Sequence, residues 1–316
     1  MVNLHTAKLY ALTLVGKSIN QEQLRFICSL LTAKGLKVET IRRLSSRNSL
    51  KNIPSNPLAS LEFILKDSVQ KIESLPAEIK DICNDFKLEF CIQPEDASMR
   101  NKRLIAFDLD STLIKMEAID ELADLAGKKN EVSSITAQAM QGKLDFKQSL
   151  IRRVALLKGL DEQALLQVGN SLSLTEGAKK LICKLKKLGY KTATLSGGLT
   201  YFGGIIQEQL GLDYMFANQL EISRGRLTGK INGEIIDGPA KARLLEEISI
   251  KEGICLNETI AVGDGANDLP MLEKAGMGIA FHAKPLVQEK AKCSVCYLGL
   301  DSILYFLGIK DKDINF

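Results

Sequence analysis

The spacing of apolar residues changes period several times along the chain. Near the N-terminus "AKLYALTLV" alternates as a half-buried strand does, and "NQEQLRFICSLLTAKG" then carries apolar residues at helical spacing and ends on Gly35. "KVETIRRL" and "ASLEFILK" read as strands, separated by the loop "SSRNSLKNIPSNP", rich in Ser, Asn and Pro. "AEIKDICNDFK" reads as a helix and "LEFCIQ" as a final strand. Residues 1–95 therefore predict a small α+β unit of βαββαβ order, followed by a polar linker, "PEDASMRNK".

From Arg103 the texture changes. "RLIAFDLD" reads as a buried strand, and residues 117–171 form one long helical stretch. Strands then alternate with helical segments: "KTATLSG", "ETIAVGD" and "GMGIAF". This predicts a parallel α/β sheet with a helical insertion after its first strand. "NQLEISRGRLTGKINGEIIDG" reads as a hairpin leaving that sheet.

Composition narrows the function classes. The 316 residues are enough for a sizeable core and two domains, and 45% hydrophobic with 25% charged residues is ordinary for a globular protein. A net charge of +4 makes no case for nucleic acid or an anionic membrane surface. No apolar run is long enough to span a bilayer, and the N-terminus lacks a basic n-region and a cleavage site, so a cytoplasmic chain is expected. The seven cysteines read as buried free thiols; the close pair Cys293 and Cys296 lacks nearby partners for zinc. His5 and His282 are far apart in sequence, which leaves acid–base chemistry to carboxylates.

Three parallel strands end in polar, reactive sequences: Asp108-Leu109-Asp110-Ser111-Thr112, Ser196-Gly197-Gly198, and "GDGAND" from Gly263 to Asp268. Ligands of open α/β sheets bind beyond the carboxyl ends of the strands, so these segments should meet in one crevice. Asp108, Asp110, Asp264 and Asp268 together would repel and resist ionising, which a hard divalent cation such as Mg²⁺ relieves. The free amides of "LSGG" suit phosphate oxygens. If the first strand persists past Phe107, Asp108 and Asp110 point the same way.

This order of motifs resembles the haloacid dehalogenase-like phosphatases: D-x-D-x-T at Asp108 to Thr112, a strand-ending Ser196, Lys241 in "AKARLLEEI", and the acidic pair Asp264 and Asp268. "EAIDELADLAG" and "AMQGKLDFKQSLIRRVALLKGL" narrow the resemblance to that superfamily's phosphoserine phosphatases, over roughly residues 103–300. The resemblance implies a Rossmann-like parallel sheet over residues 103–316, with a helical cap at about 116–174. It implies Asp108 as nucleophile, Asp110 as proton donor and acceptor, and Mg²⁺ on the Asp108 side chain, the Asp110 backbone carbonyl and Asp264. Lys241 would offset charge, Ser196 and the Gly197 amide would hold phosphoryl oxygens, and Asp268 would orient metal waters or Lys241.

The serine part of O-phosphoserine needs one acid and one base. Glu117, nine residues after Asp108, matches the amine-binding glutamate, although Glu117, Asp120, Glu121 and Asp124 also fit a solvated acidic face. For the carboxylate we choose Arg153 over Arg152, because helix positions seven apart differ by only about 20° and Arg153 shares a face with Phe146, Leu150 and Leu157. Phe146 either shields the site or simply packs in the core, and Asn267 is a further candidate for substrate contact. Residues 1–95 resemble ferredoxin-like ACT modules, whose work is amino-acid binding, here of L-serine, or subunit pairing as a homodimer. Phosphatase action on phosphohomoserine or phosphothreonine, or a non-catalytic amino-acid sensor, stays open as an alternative.

Overall fold

The computed structural model describes residues 8–46, 58–67, 71–95, 101–140 and 143–313. His5, most of the first long loop (47–57) and most of the linker (96–100) lie outside the described residues. The N-terminal unit runs β1 (Lys8–Gly16), α1 (Gln21–Ala33), β2 (Lys37–Arg43), β3 (Ala59–Asp67), α2 (Leu75–Phe86) and β4 (Glu89–Pro94), the order expected. Asn20 and Gln23 start α1 with a reciprocal capping box. The strands are antiparallel in the order β2-β3-β1-β4. Leu12 and Leu14 share one face of β1 and pack in a core with Ile27 and Leu31 of α1 and Ile79 of α2.

The rest of the chain begins with β5 (Leu104–Phe107) and four helices: α3 (Ala118–Leu125), α4 (Lys129–Met140), α5 (Phe146–Ala155) and α6 (Gln163–Ser171). It continues α7 (Ala178–Lys187), β6 (Lys191–Leu199), α8 (Thr200–Leu210), β7 (Tyr214–Ser223), β8 (Arg226–Asn232), α9 (Gly238–Lys251) and β9 (Thr259–Gly263). It closes with α10 (Leu269–Lys274), β10 (Met277–Phe281), α11 (Pro285–Lys290), β11 (Cys293–Val295) and α12 (Ile303–Phe306). β5 is parallel to β9 on one side and β6 on the other, and every residue of it is buried. Ile105 and Phe107 belong to one core, Leu104 and Ala106 to another, as expected of a strand covered on both faces. The helical insertion stands where the periodicity put it, but the β7–β8 hairpin does not leave the sheet: β7 starts at Tyr214 and pairs parallel with β6, so the hairpin extends the sheet edge.

One feature was not legible beforehand. β11, which the periodicity missed, pairs antiparallel with β4, so both units share one eleven-stranded sheet, β2-β3-β1-β4-β11-β10-β9-β5-β6-β7-β8. Cys91 and Cys293 are register partners across that junction, 4.8 Å apart at Cα, and form a disulfide. The expectation of seven buried free thiols is therefore corrected: 202 residues separate this pair, and only the strand pairing brings them together. Of the five free cysteines, Cys83 is buried while Cys183 and Cys255 are exposed.

Glu89 of β4, 2% exposed, reaches across the same junction. Its carboxylate accepts the backbone N–H groups of Cys296 (2.8 Å), Tyr297 (2.6 Å) and Leu298 (2.8 Å). Burial pushes the carboxyl above its ordinary range, while the three donors and His282 pull it back. Replacing Glu89 with Ala leaves three N–H groups without their acceptor, each worth about 1–3 kcal/mol when buried. We expect Glu89→Ala to destabilise the chain by about 3–5 kcal/mol, and Glu89→Gln by less, in denaturant titration. A loss under about 1 kcal/mol for the alanine variant would reject this account of the junction.

Candidate active site

Strand β5 ends at Phe107, but the N–H of Asp108 still donates to Val262 of β9 (2.9 Å), which holds Asp108 at the mouth of the sheet. The chain then turns sharply: the Leu109 carbonyl accepts from Leu113 (2.9 Å) and Ile114 (3.0 Å), and Ser111 takes a left-handed φ of 57°. The two aspartates therefore do not continue one strand face. Asp110 Oδ1 accepts the N–H of Ala118 (3.0 Å), the first residue of α3, because the turn carries it towards that helix start.

Lys241 lies in the first turn of α9, whose start is set by Asp237 accepting the Ala240 N–H at 3.0 Å. Its Nζ is fully buried and donates to Asp108 Oδ1 (2.7 Å) and Asp268 Oδ1 (2.6 Å). The other oxygen of Asp268 accepts the Gly265 N–H (3.0 Å), and Asp264 Oδ1 accepts the Thr112 hydroxyl (3.2 Å). Oxygens of Asp108, Asp264 and Asp268 lie within 4.8 Å of one another. Asp110, whose carboxylate turns to Ala118, is not part of that side-chain cluster.

One ammonium cannot neutralise this group. Burial, then Asp268, raise the Asp108 carboxyl well above its ordinary range, although Lys241 opposes them. Burial and Glu117 push Asp110 up to about 7, and burial, Asp268 and Glu117 do the same to Asp264. Burial disfavours the charge on Lys241, but Asp108 and Asp268 more than offset it and its pKa is raised. Clustered hard oxygen donors with surplus negative charge fit a divalent cation of the Mg²⁺ class.

The second segment lies opposite. Ser196, fully buried at the end of β6, accepts the Gly198 N–H on its Oγ (2.8 Å). A Cβ on Gly198 would stand 2.1 Å from Asp110 Oδ2, so only glycine lets these two segments approach. A Cβ on Gly197 would meet the Phe146 ring at 2.4 Å, so that ring lies directly on the loop as well as against the core.

Glu117, exposed at the start of α3, accepts the Ser111 hydroxyl (2.8 Å). Asp120, one helical turn on, is half-buried; of the four acids the sequence allowed on a solvated face, Glu117, Glu121 and Asp124 are exposed. Burial raises both the Glu117 and Asp120 carboxyls, and the charge of Arg153 acts on both in the opposite sense. Arg153 of α5 is half-buried, with an Nε that has no hydrogen-bond partner among the described residues, whereas Arg152 is exposed. Leu150 and Leu157 are buried, as the shared face requires. Asn267 is half-buried with its amide folded back over Gly265. The helix spacing could have singled out Asp120, three residues from Glu117; the contacts of Ser111 and Gly198 depend on tertiary approach.

Similarity to known proteins agrees with this arrangement. Residues 102–276 match the model of the haloacid dehalogenase-like hydrolases. The chain is 47% identical over 250 residues to a phosphoserine phosphatase of Archaeoglobus fulgidus, covering 78% of this chain and 73% of that protein. It is 41% identical over 303 residues to one of Streptomyces coelicolor, covering 96% and 71%. A haloacid dehalogenase family hydrolase of Salmonella enterica superposes with a TM-score of 0.81 at 32% identity, over 95% of this chain and 98% of that one. Lys241 and its carboxylates, set beyond the ends of a parallel sheet, thus occur in a chain that belongs to the haloacid dehalogenase-like hydrolase family, among its phosphoserine phosphatases.

Proposed function

We propose that the chain hydrolyses O-phospho-L-serine to L-serine and phosphate, with Mg²⁺, as the last step of serine synthesis. The observation that carries this reading is the buried Lys241 bridging Asp108 and Asp268, in a chain that also sets the opposite charges of Glu117 and Arg153 near enough to act on each other. Asp108 attacks phosphorus, forming an O–P bond as the bond from phosphorus to the serine oxygen breaks. Asp110, whose pKa of about 7 leaves it able to hold a proton, gives that proton to the departing oxygen. It then takes a proton from the water that attacks the aspartyl phosphate, which releases phosphate and restores Asp108.

Lys241 fixes the rotation of Asp108 through Oδ1 and adds positive charge beside the transferred group. Ser196 and the Gly197 amide hold its oxygens. Glu117 takes the substrate's ammonium and Arg153 its carboxylate, a pairing supported by the charge of Arg153 acting on the Glu117 carboxyl and by an Arg153 Nε without a partner among the described residues. Phe146 covers the loop, Asn267 borders the substrate and Asp268 orients Lys241. Asp108, Asp264 and the Asp110 carbonyl would hold Mg²⁺, which when bound supplies the missing positive charge and polarises the phosphoryl oxygens.

For residues 1–95 we propose an ACT-like unit that pairs subunits or binds L-serine, supported by its βαββαβ order and its antiparallel strand arrangement. Among the described residues no helix is long and apolar enough to cross a membrane. We propose that the chain works in the cytoplasm.

Phosphate release should be fastest with phosphoserine in a panel of phosphoamino acids, and EDTA should abolish it. No turnover of phosphoserine in Mg²⁺ would sink the reading. Asp108→Asn should lower kcat by at least about a thousandfold and eliminate the acid-stable phosphoprotein adduct. Arg153→Ala should reduce kcat/KM for phosphoserine by about tenfold to a hundredfold, and much less for a phosphate ester without a carboxylate; equal losses would refute its role.

A pH effect follows from the crowded carboxylates. Asp110 and Asp264 rise from an ordinary 3.8 to about 7 in the folded chain. Between those values the folded state holds protons that the unfolded chain has lost, so metal-free stability falls as pH rises through that window. Mg²⁺ competes with those protons, so its thermal stabilisation should be larger at about pH 8 than at about pH 5. A larger shift at the lower pH would contradict the charge assignment.

A further inference from the structure

Strands β6 and β7 run in register to Leu195 opposite Phe216 and resume at Leu199 opposite Asn218. Four steps along β6 thus oppose two along β7, and Ser196, Gly197 and Gly198 bulge out of the ladder. A bulge leaves backbone groups without strand partners, and a buried carbonyl left unpaired is costly. The Asn218 side chain, 1% exposed, answers this: its Nδ2 donates to the Gly197 carbonyl at 2.9 Å.

We infer that Asn218 is a positioning residue for the phosphoryl-binding loop. In a trans peptide the C=O and N–H point in opposite directions. Holding the Gly197 carbonyl therefore aims the Gly198 N–H, which donates to Ser196 Oγ at 2.8 Å. With that lone pair occupied, the Ser196 hydroxyl is set to donate its own proton to a phosphoryl oxygen. The other end of the same amide works too: Asn218 Oδ1 accepts the Ile236 N–H at 2.8 Å. The next residue, Asp237, caps α9 and so sets the turn that carries Lys241. One buried amide thereby couples the loop of Ser196 to the helix of Lys241. Asp lacks the donor and Gln places it a carbon farther away, so Asn meets both demands at this spacing.

This inference rests on the phosphatase reading above. Its test uses the full chain with Mg²⁺ and two inhibitors: orthovanadate as a phosphoryl mimic and L-serine as a probe of the cap. Asn218→Asp removes the donor to Gly197 and keeps an acceptor for Ile236; Asn218→Ala removes both. We expect kcat/KM for phosphoserine to fall by about tenfold to a hundredfold in Asn218→Asp, with the orthovanadate inhibition constant rising by a comparable factor. The L-serine inhibition constant should stay within about twofold, because Glu117 and Arg153 are not held by Asn218. Unchanged orthovanadate inhibition, or equal weakening of both inhibitors, overturns the inference. Should Asn218→Asp fail to fold, Asn218→Ala reads the same ratio. If neither variant folds, by circular dichroism, Asn218 is a packing residue and the inference is likewise overturned. Wild-type chain without phosphoserine turnover would count against the substrate assignment instead, while the same orthovanadate and L-serine comparison, read as direct binding by calorimetry, still decides the role of Asn218.

Discussion

Charge compensation at Lys241 governs this active site. A fully buried ammonium stands between Asp108 and Asp268, with Asp264 and Asp110 close by. Removing such charges from water is expensive unless they are paired in good geometry. Here the pairing is good but incomplete, because the carboxylates outnumber the ammonium. The imbalance shows in the raised carboxyl groups of Asp108, Asp110 and Asp264. A site left short of positive charge is one prepared for a cation, and a transferring phosphoryl group is best stabilised where positive charge is already fixed.

The scaffold exists to keep those groups within reach. β5 lies between β9 and β6, so the three reactive loops leave the sheet on the same side and side by side. Glycines at positions 197 and 198, in the bulged end of β6, let that segment lie against Phe146 and Asp110 where an added Cβ would crowd both side chains. Helices α3 to α6, inserted after β5, carry Glu117 at the foot of the first and Arg153 on the third. The N-terminal unit is welded to the far side of the same sheet by β4 and β11, the Cys91–Cys293 disulfide and the three hydrogen bonds to Glu89.

Much of this was legible beforehand where the signal was local. Periodicity located the βαββαβ unit, the helical insertion and the hairpin, because burial on one face imposes a period of 2 or 3.6 on its own residues. Chemistry at strand ends identified the segments that meet at the crevice, because a parallel sheet places all such ends on one side. Choosing Arg153 over Arg152 needed only helix geometry, and Arg152 is the exposed one of the two. The same local reasoning missed β11, three residues long, whose identity as a strand depends on having neighbours on both sides. It misread the cysteines for the same reason.

What the sequence alone determined is the inventory: which residues can ionise, which can approach closely, and which segments form strands or helices. Those properties belong to residues and their near neighbours along the chain. Tertiary structure alone decided which oxygen meets which nitrogen. The strand of Asp108 stops at Phe107, so Asp110 turns to the start of α3 instead of pointing with Asp108. The ladder between β6 and β7 skips, so Asn218 meets Gly197. Both outcomes depend on register between distant segments, and register is settled by packing across the whole sheet rather than by any stretch of sequence.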